Sequence, residues 1–270
     1  MGDPARLSAE VRAAYDSSAQ DWAEGPQRMY APLAAALVGA AAAGAVASGT
    51  LAGGLVLDIG AGTGVAGRAA STAGARHVVS VDLALGMLRR CGPDLHPLAA
   101  DAANLPFRDR SFDVVLAAFS LSHVPDLGAC LAEIRRVGLG LAASAFSPDW
   151  THPAKEAVDA ALASFGYEPP AWHRWLKGAG EPVTSDPAGL AAAATAVGFT
   201  DVAVRTVTVR TGLSTPAELA AWRLGMAQAA PFVRALEPSA RANLRDAAEA
   251  AAADAGGGPL TVPMLVFTAR

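Results

Sequence analysis

The run Val56-Leu57-Asp58-Ile59-Gly60-Ala61-Gly62-Thr63-Gly64 carries an apolar segment into an acid and three glycines. The helix-forming Val65-Ala66-Gly67-Arg68-Ala69-Ala70 follows. Glycine permits turns that other residues resist and lets a ligand approach the backbone closely. A helix opening at such a turn offers unpaired N–H groups and a positive dipole end to an anion. The chemistry on offer is the binding of a nucleotide-like ligand. Gly62-Thr63-Gly64-Val65-Ala66-Gly67 satisfies G-x-G-x-x-G, and Asp82 follows at the spacing of a dinucleotide fingerprint. An Ala- and Gly-rich chain also makes this pattern by chance. The acids narrow the choice. Asp82 closes the apolar His77-Val78-Val79-Ser80-Val81 and suits a ribose diol, with a strand-end cap as its plain alternative. Asp101 follows Ala99-Ala100, where a simple turn acid is the alternative. A dehydrogenase has no particular need of Asp58 or of the Asp101-Ala102 pair. A ligand with an adenine, a ribose and a zwitterionic amino-acid tail uses all of them.

These residues need a sheet behind them. Period-2 and continuous apolar runs predict strands near Leu55–Asp58, His77–Asp82, Leu95–Ala100, Phe112–Ala118, Gly138–Phe146, Asp201–Arg210 and Leu260–Thr268. Helices are expected near Val65–Ala73, Ala84–Arg90, Leu127–Val137, Pro153–Phe165, Ala188–Val197, Thr215–Ala229 and Pro238–Ala253, with further helices from about Ser8 to Ser48. The βαβ rhythm calls for a parallel sheet with helices on both faces and ligands at the carboxyl ends of the strands. The segment from Pro148 to Pro187 breaks the rhythm. Residues 1–53 read as a helical cover, 54–147 as the cofactor-binding core of a single domain, and 148–187 and 211–258 as insertions that build a lid or pocket.

Over Val56 to Gly64, Val78 to Met87 and Asp101 to Asp126 the chain resembles the class I S-adenosylmethionine-dependent methyltransferases. It is most similar there to the small-molecule enzymes of the ubiquinone/menaquinone C-methyltransferase type. The signature Asp101-Ala-Ala-Asn-Leu-Pro-Phe-Arg-Asp-Arg-Ser-Phe-Asp113 carries the likeness together with the glycine loop. The resemblance implies a Rossmann-like, doubly wound, mostly parallel seven-stranded α/β sheet, with N-terminal helices and lid insertions after strand five and before the last strand. It implies S-adenosyl-L-methionine as cofactor, held by Asp58, Gly60, Ala61, Gly62, Gly64, Asp82, Leu83, Met87, Asp101, Ala102 and Phe119. His123, just past the fourth strand, could take a proton from the acceptor or simply pack on adenine. Tyr15 and Tyr30, on helices that would cover the cofactor, could contact the polarised methyl or orient the acceptor; lid packing is their other role. His152, His173, Trp172, Trp175, Trp222 and Met226 are candidates for the acceptor-pocket wall, with interface packing as the alternative. The family's Leu-Lys-Pro-Gly-Gly-like turn before strand five is replaced by Val137-Gly138-Leu139-Gly140-Leu141, so that turn must be built differently.

Bulk properties exclude other classes. A formal charge of -4 and the lack of a Lys/Arg run give no basic field for nucleic acid. Cys91 and Cys130 have neither disulfide nor metal spacing and suit buried thiols in a reducing cytoplasm. No charge occurs between Ala31 and Leu57, but this stretch is Ala- and Gly-rich and ends in the first strand, which argues against a membrane span. The Asn/Asp-Pro-Pro-Tyr turn of nucleic-acid and protein amino-methylating enzymes is replaced by Ala118-Phe119-Ser120-Leu121, and no metal-ligand cluster is evident. The expected protein is a cytoplasmic monomer or homodimer that methylates carbon, nitrogen or oxygen of a small, aromatic or apolar acceptor, plausibly from specialised metabolism, without metal. An NAD-type oxidoreductase and a non-catalytic interaction module on the same fold are the alternatives; Asp58 and Asp101 speak against the first.

Overall fold

The computed structural model describes residues 4–45, 51–148, 150–256 and 258–270. The chain opens with α1 (Pro4–Glu24) and α2 (Pro26–Ala40), which runs on into a π-helical turn at Ala41–Ala45. Pro26 stands in the first turn of α2, where a missing N–H costs no helical bond. Leu33, Ala34, Leu37 and Val38 recur at three- and four-residue spacing, and all pack in the core with Val56 and Val114 of the sheet. Up to Ala45 the uncharged stretch is therefore a helix laid on a sheet. Among the described residues no helix is long and apolar enough to cross a membrane. The end of the expected N-terminal helices, up to Ser48, lies outside the described residues.

β1 (Leu55–Ile59) starts an alternation of strand and helix: α3 (Val65–Thr72), β2 (His77–Asp82), α4 (Leu85–Leu88), β3 (Pro97–Ala99), β4 (Val114–Ala118), α5 (Leu127–Val137) and β5 (Leu141–Phe146). The next segment is helical: α6 (Pro153–Ser164), α7 (Ala171–Trp175), a π-helical turn (Leu176–Gly180), α8 (Glu181–Thr184) and α9 (Pro187–Ala196). β6 (Ala203–Arg210), α10 (Pro216–Leu224), α11 (Ala230–Ala235), α12 (Pro238–Asp254) and β7 (Thr261–Ala269) complete the chain. The strands form one sheet in the order β3-β2-β1-β4-β5-β7-β6. β1 to β5 run parallel, and β7 is antiparallel to both β5 and β6. The expected Rossmann-like, mostly parallel seven-stranded sheet is what the chain forms.

Side chains alternate across this sheet. Val56, Val114 and Leu116 join the cluster beneath α2, while Leu57, Ile59, Val115 and Ala117 join Leu131, Ile134 and Leu190 on the other face. Burial of both faces is why the central strands are apolar throughout. The chain moves outward from β1 to β3 and then crosses back to β4, so the strand order reverses between β1 and β4. Such a reversal opens a crevice beyond the carboxyl ends of the strands.

Several boundaries differ from expectation for local reasons. β3 does not begin at Leu95, because Pro93–Leu95 forms a 3-10 turn and His96 turns left-handed at φ 44°. α4 is shorter than Ala84–Arg90, since the Arg90 and Cys91 N–H groups bond only three residues back, to Met87 and Leu88. The helix expected over Thr215–Ala229 ends at Leu224, before Gly225, and Pro231 starts a separate α11. Three helices rather than two thus precede the last strand. At the altered turn before β5, Leu139 N–H donates to Phe112 O at 2.9 Å and Gly140 O accepts from Val115 N–H at 2.8 Å. Pairing begins inside the turn and leads into the Val115↔Leu141 register. A Cβ at Gly138 would collide with Val115 Cγ2, so this version of the turn depends on glycine.

Candidate active site

β1 delivers Gly60, Ala61 and Gly62 to the carboxyl edge of the sheet, where they wall a cavity with Asp82, Leu83, Met87, Asp101, Ala102 and Phe119. Gly62 has φ 56°, and a Cβ built on it would meet no protein atom within 4 Å. The residue thus holds a conformation L side chains avoid and leaves its outer side clear for a ligand. Its N–H donates to Asp82 Oδ2 at 2.8 Å, and Ala84 N–H donates to Oδ1 at 2.8 Å. Asp82 therefore braces the glycine loop against the end of β2. Each of its oxygens keeps a further lone pair for a hydroxyl. Burial raises its pKa, opposed by the Ala84 and Gly62 donors. Asp101 accepts from Ala103 N–H at 2.9 Å, a turn that fixes the neighbouring Ala102 backbone.

A second cavity of about 610 Å³ adjoins the first. Met29, Phe146, Trp150, Trp172, Trp222 and Met226 supply its apolar wall, and His173, Lys155, Lys177, Glu181, Asp186 and Arg223 its polar one. Tyr15, Tyr30, Phe119 and His123 border both cavities. Phe119 holds φ 56°, unusual for a bulky residue, and such strain concentrates where a side chain must be aimed at a site.

Tyr15 Oη lies 3.0 Å from His123 Nε2, and Ser122 Oγ lies 3.3 Å from Nδ1. Burial pushes the imidazole down to about 4 and the Tyr15 and Tyr30 phenols well above their ordinary value. Near neutral pH all three are uncharged. With the proton on Nδ1, Nε2 can accept from the Tyr15 hydroxyl, and the pair is sited where the two cavities meet.

Asp58 and Gly64, expected on the cofactor wall, are elsewhere. Asp58 is fully buried beneath the loop, and its Oδ2 accepts from Gly67 N–H at 2.9 Å in the first turn of α3. Burial pushes its carboxyl up to about 7 despite that donor. Gly64 precedes α3 at φ 85°, where a Cβ would press on Cys91 and Leu95. Both shape the loop from behind. Trp172, His173, Trp222 and Met226 line the second cavity, whereas His152 and Trp175 do not. Sequence reasoning passed over Ser8, Val11 and Arg12, which line the first cavity with Tyr15. Their spacing from Tyr15 (seven, four and three residues back) is one helix face, and that was the available signal. Lys155 and Arg223 were also passed over, since nothing local distinguishes them from surface charges. Cys91 and Cys130 are buried and free, and no metal-holding cluster occurs among the described residues.

Residues 57–138 match the family model described as a methyltransferase domain. A demethylmenaquinone methyltransferase of Renibacterium salmoninarum is 45% identical over 85 residues, covering 30% of this chain and 35% of that protein. The Thermobifida fusca protein of the same name is 42% identical over 91 residues, covering 31% and 38%. The chain thus spans about a third of the length of the curated relatives it matches. Among solved structures, a Haloferax volcanii methyltransferase in complex with its Trm112 activator superposes with TM-score 0.53 at 18% identity, covering 97% of this chain and 96% of that one. The (4+2)-cyclase SpnF superposes with TM-score 0.52 at 20% identity, covering 87% and 80%. These structural likenesses concern the fold.

Proposed function

We propose that this chain, whose residues 57–138 match the methyltransferase-domain family, transfers a methyl group from S-adenosyl-L-methionine to a small-molecule acceptor. The observation that carries the reading is the common wall: Tyr15, Tyr30, Phe119 and His123 border both the glycine-loop cavity and the aromatic cavity. Two ligands seated side by side would meet at those four residues. S-adenosyl-L-methionine supplies a methyl on a sulfonium, and its thioether leaves without needing a proton. The chain's task is then to bind, align and exclude water.

Gly60, Ala61 and Gly62 would hold the amino-acid end by close backbone approach, Asp82 the ribose hydroxyls, and Asp101 with Ala102 the adenine edge. Leu83, Met87 and Phe119 would pack on the rings. Tyr15 and Tyr30 close the site from α1 and α2. An acceptor O–H or N–H becomes strongly acidic as its new bond to carbon forms, so a weak base suffices. Tyr15 can take that proton while passing its own to His123 Nε2, 3.0 Å away. The aromatic wall suits a flat acceptor. The relatives' names give demethylmenaquinone, a quinone, as theirs, but the family match covers residues 57–138 and leaves out the helices that wall the acceptor cavity.

The oxidoreductase reading is weakened by Asp58. Its carboxyl already takes a first-turn N–H of α3, a donor that a pyrophosphate would need. The likeness to a cyclase shows that the fold by itself does not name the reaction. The test is incubation with methyl-labelled S-adenosyl-L-methionine and fractionated small-molecule extract. Label is expected in an organic product in the presence of protein and not with heat-denatured protein. Turnover of NAD(P)H without label transfer would overturn the reading.

A further inference from the structure

Helices α6 and α10 bring an uneven charge cluster to the wall of the aromatic cavity. Arg223 donates to Asp159 from Nε at 3.0 Å and from Nη2 at 2.7 and 2.9 Å. Lys155, one turn before Asp159, donates to the same carboxylate at 3.2 Å. Two cations thus share one carboxylate. Lys155 and Arg223 line the cavity, and Asp159 does not; it holds them from behind. The other charges on the wall are committed elsewhere. Lys177 pairs with Glu181 at 2.7 Å, and Asp186 caps α9 through Ala188 N–H at 3.0 Å. The Arg223 side chain is only 10% exposed and lies over the Trp222 ring, 5.1 Å from its centroid. Trp222 also lines the cavity.

We propose that the methyl acceptor is an aromatic carboxylic acid and that Lys155 and Arg223 form the subsite that binds its carboxylate. The Lys155–Asp159–Arg223 cluster carries one excess positive charge, which matches a monoanion. A guanidinium held over an indole and a neighbouring ammonium are donors of the kind that carboxylate oxygens take. The apolar body of the acid lies along Phe146 and Trp150, and its reactive atom faces Tyr15 and His123. This assignment rests on the aromatic cavity being the acceptor site of the methyl transfer proposed above.

The experiment is calorimetry on the full chain saturated with S-adenosylhomocysteine. The probes are matched aromatic acids and their primary amides: naphthoic, indole-carboxylic and cinnamic acids with naphthamide, indole carboxamide and cinnamide. At least one acid is expected to bind about ten-fold or more tighter than its amide. Lys155→Met should weaken acid binding and leave amide binding unchanged. Asp159→Asn should tighten it, because the two cations lose their internal counter-ion. That opposite sign is not produced by a merely structural role, and it keeps the test open if Arg223→Met fails to fold. Equal binding of acid and amide, no acid binding at all, or a preference that survives Lys155→Met and Asp159→Asn would each overturn the proposal while methyl transfer stands. Failure of S-adenosylhomocysteine itself to bind would overturn the methyl-transfer reading instead.

Discussion

In the proposed reaction the Tyr15–His123 contact supplies the proton acceptor. The two residues are 108 positions apart, so their pairing could not be read from the chain, although His123 just past the fourth strand and Tyr15 on a covering helix were separately conspicuous. Burial holds the imidazole down to about 4, so it stays neutral and able to accept a proton well below its ordinary range. The acid limb of kcat is therefore expected near pH 4, with no loss between neutrality and about pH 5.5. A limb near 6.5, the unperturbed value, would mean that His123 is solvated or not the base. His123→Ala should lower kcat by roughly 10²–10⁴-fold with S-adenosylhomocysteine affinity retained, and His123→Asn should not restore it. Loss of affinity with unchanged single-turnover rate would leave the residue a packing role only.

Elements explain why Asp58 and Gly64 stand behind the glycine loop and off the cavity wall. Sequence shows an acid and a glycine flanking the loop, but which side of the backbone each occupies depends on how α3 leaves β1. In the fold α3 turns back over Asp58, and the carboxyl serves the helix. Its raised pKa has a sign that can be checked. A buried acid lifted from 3.8 to about 7 contributes stability in full below its unfolded value, and that contribution is lost as pH rises through about 7. Asp58→Asn has no such titration, so the Tm of the variant minus that of the wild type should grow between about pH 5 and about pH 8.5. A difference independent of pH would show that the carboxyl titrates normally. Strand cores were readable because Val56-Leu57 and Val114-Val115-Leu116 are unbroken apolar runs; their ends were not, because a left-handed His96 and a 3-10 turn leave little trace in residue type.

The full chain divides its work along its length. Its first half builds a glycine-loop cavity whose residues follow one another closely in sequence, which is why Gly60, Gly62, Asp82 and Asp101 could be named before their arrangement was seen. The aromatic cavity is gathered from α1, α2, α6, α7, α8 and α10, and its charged wall joins Lys155 to Arg223 across 68 positions (223 − 155), so only its aromatic residues stood out. The two cavities are useful together only if the first takes the methyl donor. Calorimetric titration of S-adenosylhomocysteine into wild type and Asp82→Ala measures this. Saturable one-to-one binding is expected, weakened in the variant by on the order of 1.5–3 kcal/mol for a lost charge-assisted hydrogen-bond pair. The same affinity in both proteins, or no heat from S-adenosylhomocysteine where NAD binds, would contradict it.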